Sequence, residues 1–266
     1  MNVARTAAEE AGRAIMRAFG GQHTVIYKSP DQPQTAADLE ADRILHGILL
    51  DAHPDYGWLS EETADDATRL QRERVWIVDP IDGTLSYMAA RPEFSISIAL
   101  AEHGQVVLGV VCNPATDELF WAIEGQGAFG AGGQRLHVSK TAAPPARLVA
   151  SRSEIRAREF EALGTDWRLL PMGSTAYKLA LTAEGRADIF LSRGPKSEWD
   201  VCAGDLIVRE AGGQVSDLRG RTLSYNRPDP YVHGILASNG HWHDIMLDRL
   251  AQEPDIGKLP PLGDDE

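Results

Sequence analysis

Val3, Ala7, Ala11, Ile15 and Ala18 recur at helical spacing at the start of the chain, with Glu9, Glu10, Arg13 and Arg17 between them. That pattern predicts an amphipathic helix over residues 2–19, ended by Gly20 and Gly21. Residues 24–33 read as a short strand and a polar turn. Thr35 then caps a helix to about residue 51, with Asp38 as its capping-box partner and Leu39, Ile44, Leu45 and Ile48 as its apolar face. A short apolar strand around Trp58 and Leu59 leads into Ser60, Glu61 and Glu62. The β-branched run Val75-Trp76-Ile77-Val78 reads as a buried strand. From Phe94 the texture alternates, and FSISIAL, VVLGVV, ELFWA and RLHVS predict an antiparallel meander.

After residues 141–146 (TAAPPA), small and proline-bearing like a linker, the pattern changes to strand-helix alternation. Strands are expected at 148–151, 168–171, 189–192, 214–217 and 235–238, and helices near 154–163, 174–184, 201–211 and 241–252. The chain therefore reads as an α+β lobe over 1–142, an α/β lobe over 147–252, and a frayed tail over 253–266.

Composition narrows the partners. The 266 residues carry a formal charge of −13, which disfavours a nucleic-acid groove, although part of the excess acid suits reserved metal ligands. Cys112 and Cys202 are too few for a disulfide scaffold and are expected as reduced core thiols in a cytoplasmic protein. No stretch approaches the length of a membrane span, and the first residues lack the apolar region of a signal peptide. Gly125, Gly127 and Gly130 match the dinucleotide pattern G-x-G-x-x-G, but a strand rather than a helix is expected to follow, so hairpin turns explain them and a nicotinamide enzyme is set aside.

The chemistry gathers at Val75 to Thr84, VWIVDPIDGT. A buried strand delivers Asp79 and Asp82 to one edge, where they repel and raise each other's pKa unless a cation sits between them. Pro80 lacks an N–H, so the backbone is expected to leave the sheet between them, and Gly83 permits close approach by a ligand. Asp200 stands at the start of a helix, where an acid stabilises the helix by itself. Taken with Glu61, however, these are four carboxylates at the ends of apolar elements, an oxygen-only set that suits Mg²⁺ rather than zinc. His241 and His243, two apart, would face different sides of a helix.

Glu61-Glu62, then DPIDGT, then Trp199-Asp200 followed by a small-residue helix ending in AGG, resembles the inositol monophosphatase superfamily of Mg²⁺-dependent, lithium-sensitive phosphatases. The resemblance covers nearly the whole chain and implies a layered αβαβα fold, a small phosphate ester as substrate, two to three Mg²⁺ ions and, as in many members, a homodimer. It implies Glu61, Asp79 and the Ile81 carbonyl around one ion, Asp79, Asp82 and Asp200 around a second, and Glu61 on a weaker third. Glu61 and Thr84 would orient and deprotonate the attacking water, Glu62 would support these ligands, and the helix opened by Gly83 and Thr84 would present N–H groups to the phosphate.

Gly173, Ser174 and Lys178, with Arg193 and Lys196, are the expected substrate residues. Inositol-specific members are expected to carry an acid near Arg193 and Asn at Lys178. Basic residues there suit a second phosphate or sulfate, and GSTAYK, GPKSEWD and LSYNRPDPY resemble the 3'(2'),5'-bisphosphate nucleotidase branch, which hydrolyses 3'-phosphoadenosine 5'-phosphate. An inositol or sugar monophosphatase is the alternative, and a non-catalytic relative a third. The turn Lys28-Ser29-Pro30-Asp31 departs from that branch by moving its acid one position, and Asp31 is expected near the attacking water or the third ion.

Overall fold

The structure, a computed structural model, describes residues 1–29 and 32–252. Asp31 and the expected tail over 253–266 lie outside the described residues.

The first half runs α1 (Asn2–Met16), β1 (Val25–Ser29), β2 (Gln32–Thr35), α2 (Ala36–Ala52), β3 (Gly57–Ser60), β4 (Arg74–Asp82), α3 (Thr84–Met88), β5 (Ser95–Glu102), β6 (Gln105–Asn113), β7 (Glu118–Ile123) and β8 (Gly127–Gly130). Strands β3 to β8 form one sheet in chain order, and β1 pairs with β2 as a separate hairpin. The second half runs β9 (Ala146–Ala150), α4 (Arg152–Arg156), β10 (Trp167–Pro171), α5 (Thr175–Ala183), β11 (Ile189–Ser197), α6 (Glu198–Glu210), β12 (Gln214–Ser216), β13 (Tyr231–Ser238) and α7 (His243–Ala251). Its sheet has the order β10-β9-β11-β13-β12.

Helices α1 and α2 cover one face of the first sheet, α5 and α6 lie between the two sheets, and α4 and α7 pack on the second sheet. The layers are thus αβαβα. The period-two pattern of β4 explains how one strand serves two cores: Trp76 and Val78 face α1 and α2, while Val75 and Ile77 face the inter-sheet core with Val201, Cys202 and Leu206 of α6. Asp79 continues the second row.

Three expectations differ from what is observed. Strand β4 does not leave the sheet at Pro80 but continues to Asp82, with pairing to β5 jumping from Asp79↔Ser97 to Asp82↔Ser95. One extra residue on β4 makes a bulge, which absorbs the missing N–H and re-aims the acids. RLHVS forms no strand. Phe129 and Arg135 make an isolated bridge, after which Val138 N–H donates to the Ala211 carbonyl, so the segment is drawn off the sheet edge toward the end of α6. The helix expected over 154–163 is divided into α4 and a 3-10 turn, Glu161–Leu163, because Arg158 adopts φ +63° between them.

Candidate active site

Strand β4 and helix α6 end at the same place. The carboxylate oxygens of Asp79, Asp82 and Asp200 lie within 4.8 Å of one another, and the two on β4 are almost fully buried. Burial, then Glu61, Asp82 and Asp200, hold the Asp79 carboxyl well above the usual range. Burial and the charges of Asp82 and Glu61 push Asp200 up to about 8. Burial likewise raises Asp82, against the opposing pull of its hydrogen bonds. Three acids that resist ionising beside one another form an oxygen-only donor set of the kind a hard divalent cation satisfies.

Each acid is oriented by the chain around it. Ile81 N–H donates to Asp79 Oδ1 at 2.9 Å across the bulge. Asp82 Oδ2 accepts from Ser174 Oγ at 2.7 Å and from Ala176 N–H at 2.6 Å, so Asp82 caps α5 from a distant strand. Asp200 closes a capping box with Ser197, whose N–H donates to Asp200 Oδ2 at 3.2 Å. Ser95 and Ser97 of β5, paired opposite Asp82 and Asp79, complete the seam. Ser95 Oγ lies 3.0 Å from Ser174 Oγ, and Ser97 Oγ donates to the Trp199 carbonyl at 2.8 Å.

Glu61 follows β3, which pairs in parallel with β4. It adds its charge to the cluster, but its Oε1 accepts from Lys28 Nζ at 2.8 Å. Lys28 also reaches Glu62 Oε1 at 3.1 Å, and Gln34 donates to Glu62 from β2. Burial works against the Lys28 charge, yet the two glutamates outweigh it and raise its pKa.

Thr84, buried at the start of α3, shares its hydroxyl between the Ile81 carbonyl and Asp38 Oδ1, each at 3.1 Å. Asp38 is fully buried, and its Oδ2 accepts from Thr35 N–H at 2.7 Å and Thr35 Oγ1 at 2.6 Å. Burial raises its pKa despite these bonds. The expected capping box is present, but the link to Thr84 is what sequence reasoning missed. The only local signal was an acid at a helix start.

Two clefts flank the acids. One, of about 600 Å³, is lined by Lys28, Glu61, Lys196, Trp199, Asp200 and Tyr231 among others. The second, of about 260 Å³, contains Asp82, Gly83, Gly173, Ser174, Lys178 and Lys196 and also Arg91, Arg152 and Arg156. Gly83 has φ +97°, and a Cβ there would meet the Glu93 carbonyl at 3.0 Å, so only glycine fits the turn. Lys178 is buried over the Phe190 ring, and desolvation with nearby Lys196 lowers its pKa to about 8. Arg193 behaves differently from expectation. Its Nη1 donates to the Glu159 carbonyl at 2.9 Å, and it is absent from the linings of both clefts.

Beyond the carboxylates, the loop at residues 226–227 is tied down beside the start of α6 by Arg69 and Glu198. Buried Arg69 donates to Asn226 Oδ1 at 2.6 Å and to the Arg227 carbonyl at 2.9 Å. Glu198, the first residue of α6, accepts the N–H groups of Asn226 at 2.7 Å and Arg227 at 3.1 Å.

Layered sheets and helices that bring carboxylates from two halves of a chain to one cleft define a class of metal-dependent phosphate-ester hydrolases. The chain belongs to the inositol monophosphatase family, whose family model matches residues 1–254. It is 36% identical to the 3'(2'),5'-bisphosphate nucleotidase CysQ of Salmonella typhimurium, over 85% of this chain and 94% of that one. It is 37% identical to the inositol-1-monophosphatase of Mesorhizobium japonicum, over 83% and 86%. The crystal structure of the extragenic suppressor protein SuhB from Bartonella henselae superposes with a TM-score of 0.83 at 32% identity, covering 95% of this chain and 98% of that one. The chain is accordingly a phosphatase of phosphomonoesters, in a family that depends on metal, typically Mg²⁺.

Proposed function

We propose that the chain hydrolyses 3'-phosphoadenosine 5'-phosphate to AMP and phosphate with Mg²⁺ as its metal. The observation that supports this choice is the pairing of buried Lys178 with Lys196 on a cleft that also contains Asp82. A lysine nine-tenths buried and still largely protonated at pH 7 suits an anionic group, and a substrate with a second phosphate supplies one.

Asp79, Asp82, Asp200, Glu61 and the Ile81 carbonyl are the residues we assign to hold two to three ions. When bound, Mg²⁺ supplies a water of lowered pKa and neutralises charge on the leaving oxygen. The protein contributes the base. Asp38, held above the ordinary carboxylate range, takes the Thr84 hydroxyl proton as that hydroxyl takes one from the attacking water. Asp38 thereby fills the role that the sequence suggested for Asp31, and Glu61 is assigned to the metal side of the site with Glu62 and Lys28 steadying it. Gly83 and the first N–H groups of α3 face no carbonyl within their own helix and are assigned to the phosphate oxygens, with Gly173 and Ser174 closing the opposite wall.

Equal similarity to inositol-1-monophosphatases supports a second reading, an inositol monophosphate as substrate. Purified protein assayed with Mg²⁺ on both esters decides between them: higher kcat/KM on the bisphosphate is expected, and faster turnover of inositol 1-phosphate overturns the nucleotide assignment. A homodimer in the cytoplasm accompanies the proposal, and light scattering after gel filtration tests the dimer.

A further inference from the structure

We propose that Arg91 and Arg156, on the lining of the 260 Å³ cleft, seat the substrate's second phosphate and are the residues that select a bisphosphate over a monophosphate. The inference rests on the phosphatase reading above and adds the place where the second anion docks.

The charge of this cleft runs against that of the protein. The chain holds 39 acidic and 26 basic residues, yet five of the cleft's residues, Arg91, Arg152, Arg156, Lys178 and Lys196, are basic, against the single acid Asp82. Three of the five have an acid partner within the protein. Arg152 forks onto both oxygens of Glu93, and Lys178 and Lys196 each exert their charge on buried Glu154. That carboxylate is itself fixed by Ser151, by Ser192 Oγ at 2.6 Å and by Arg193 N–H at 3.1 Å.

Arg91 and Arg156 are the remainder. Both are exposed, and neither forms an ion pair among the described residues; Arg91 acts on Glu93 only at longer range, where Arg152 already holds both carboxylate oxygens. The Nε of Arg156 donates to the Arg152 carbonyl at 3.2 Å, which turns the guanidinium without neutralising it. Exposed arginines are common on any surface. These two differ because they open onto a cleft shared with Asp82 and lack an acid of their own. Two guanidiniums on one small cleft repel each other, and an anion with several oxygens relieves that repulsion through paired N–H donors. An inositol monophosphate has no second anion to offer them.

The test uses the full chain with Mg²⁺ and two substrates, 3'-phosphoadenosine 5'-phosphate and adenosine 3'-monophosphate. For Arg91→Ala/Arg156→Ala, the ratio of kcat/KM on the bisphosphate to that on the monophosphate is expected to fall at least about tenfold, with the loss carried by KM. The Lys/Lys pair keeps the charge but not the fork and is expected to recover part of the ratio. A ratio kept within about twofold of wild type by the double alanine variant overturns this inference alone. A wild-type protein without preference for the bisphosphate overturns the substrate reading as well.

Discussion

Each oxygen of Asp38 has its own neighbour, Oδ2 on Thr35 and Oδ1 on Thr84, so one side chain both starts α2 and reaches α3. Removing the Thr84 hydroxyl leaves the metal carboxylates in place and takes away only the proton's first stop. Thr84→Ala is expected to lower kcat roughly 10²- to 10⁴-fold, the range of general-base catalysis, while Thr84→Ser retains most activity. Mg²⁺ affinity measured by calorimetry is the control, and loss of Mg²⁺ binding in Thr84→Ala would count against a proton-transfer role. Residues of this kind mark where sequence reading ends. The acids of DPIDGT and WD were legible because their spacing is local and their order along the chain is specific. Asp38 read only as a cap because its decisive partner lies 46 residues away, and that proximity exists only once α2 docks beside the β4 bulge. Arg91 and Arg156 gave no signal at all, being ordinary surface residues until the fold places them on one cleft.

Among the elements, α6 carries the most weight, since it delivers Asp200 and fills the space between the sheets. It sits unusually close to β6: a Cβ on Gly109 would lie 2.6 Å from the Ala203 carbonyl. Backbone cannot yield as a flexible side chain does, so Gly109→Ala is expected to destabilise the fold by about 1–3 kcal/mol and to move Asp200 away from Asp79 and Asp82. Chemical denaturation checks the first effect. A raised Mg²⁺ requirement in the folded variant checks the second, and unchanged stability would mean the helix can shift freely. The strands of the first sheet were readable from their alternation, which the period-two split of β4 between two cores makes physical. RLHVS alternates just as well but has no neighbour to pair with along its length. Pattern specifies which residues turn inward, not whether a partner strand exists.

At the scale of the whole molecule, the carboxylates of Asp79 and Asp82 come from the first half and that of Asp200 from the second, so a cation between them joins the halves. Their pKa values stand above those of an unfolded chain. Without metal, the resulting stabilisation is complete below the ordinary carboxylate pKa of about 4 and is lost as pH rises through the folded values, about 8 for Asp200. The melting temperature in EDTA is therefore expected to fall as pH rises from about 5 to about 8.5, through the Asp200 value of about 8, and the gain from added Mg²⁺ to grow over the same interval. A Mg²⁺ gain independent of pH would show that the ions do not displace protons from this cluster. The Arg69 contact carries a different consequence, one of time rather than energy. It joins residues 157 apart in sequence, and the loop it holds also pins the first residue of α6. So long a chain closure is slow, which places this loop and the start of α6 that it holds among the last parts to form during folding. Activity regained on refolding is expected to trail the burial of tryptophan in the core, the catalytic surface maturing after the scaffold beneath it.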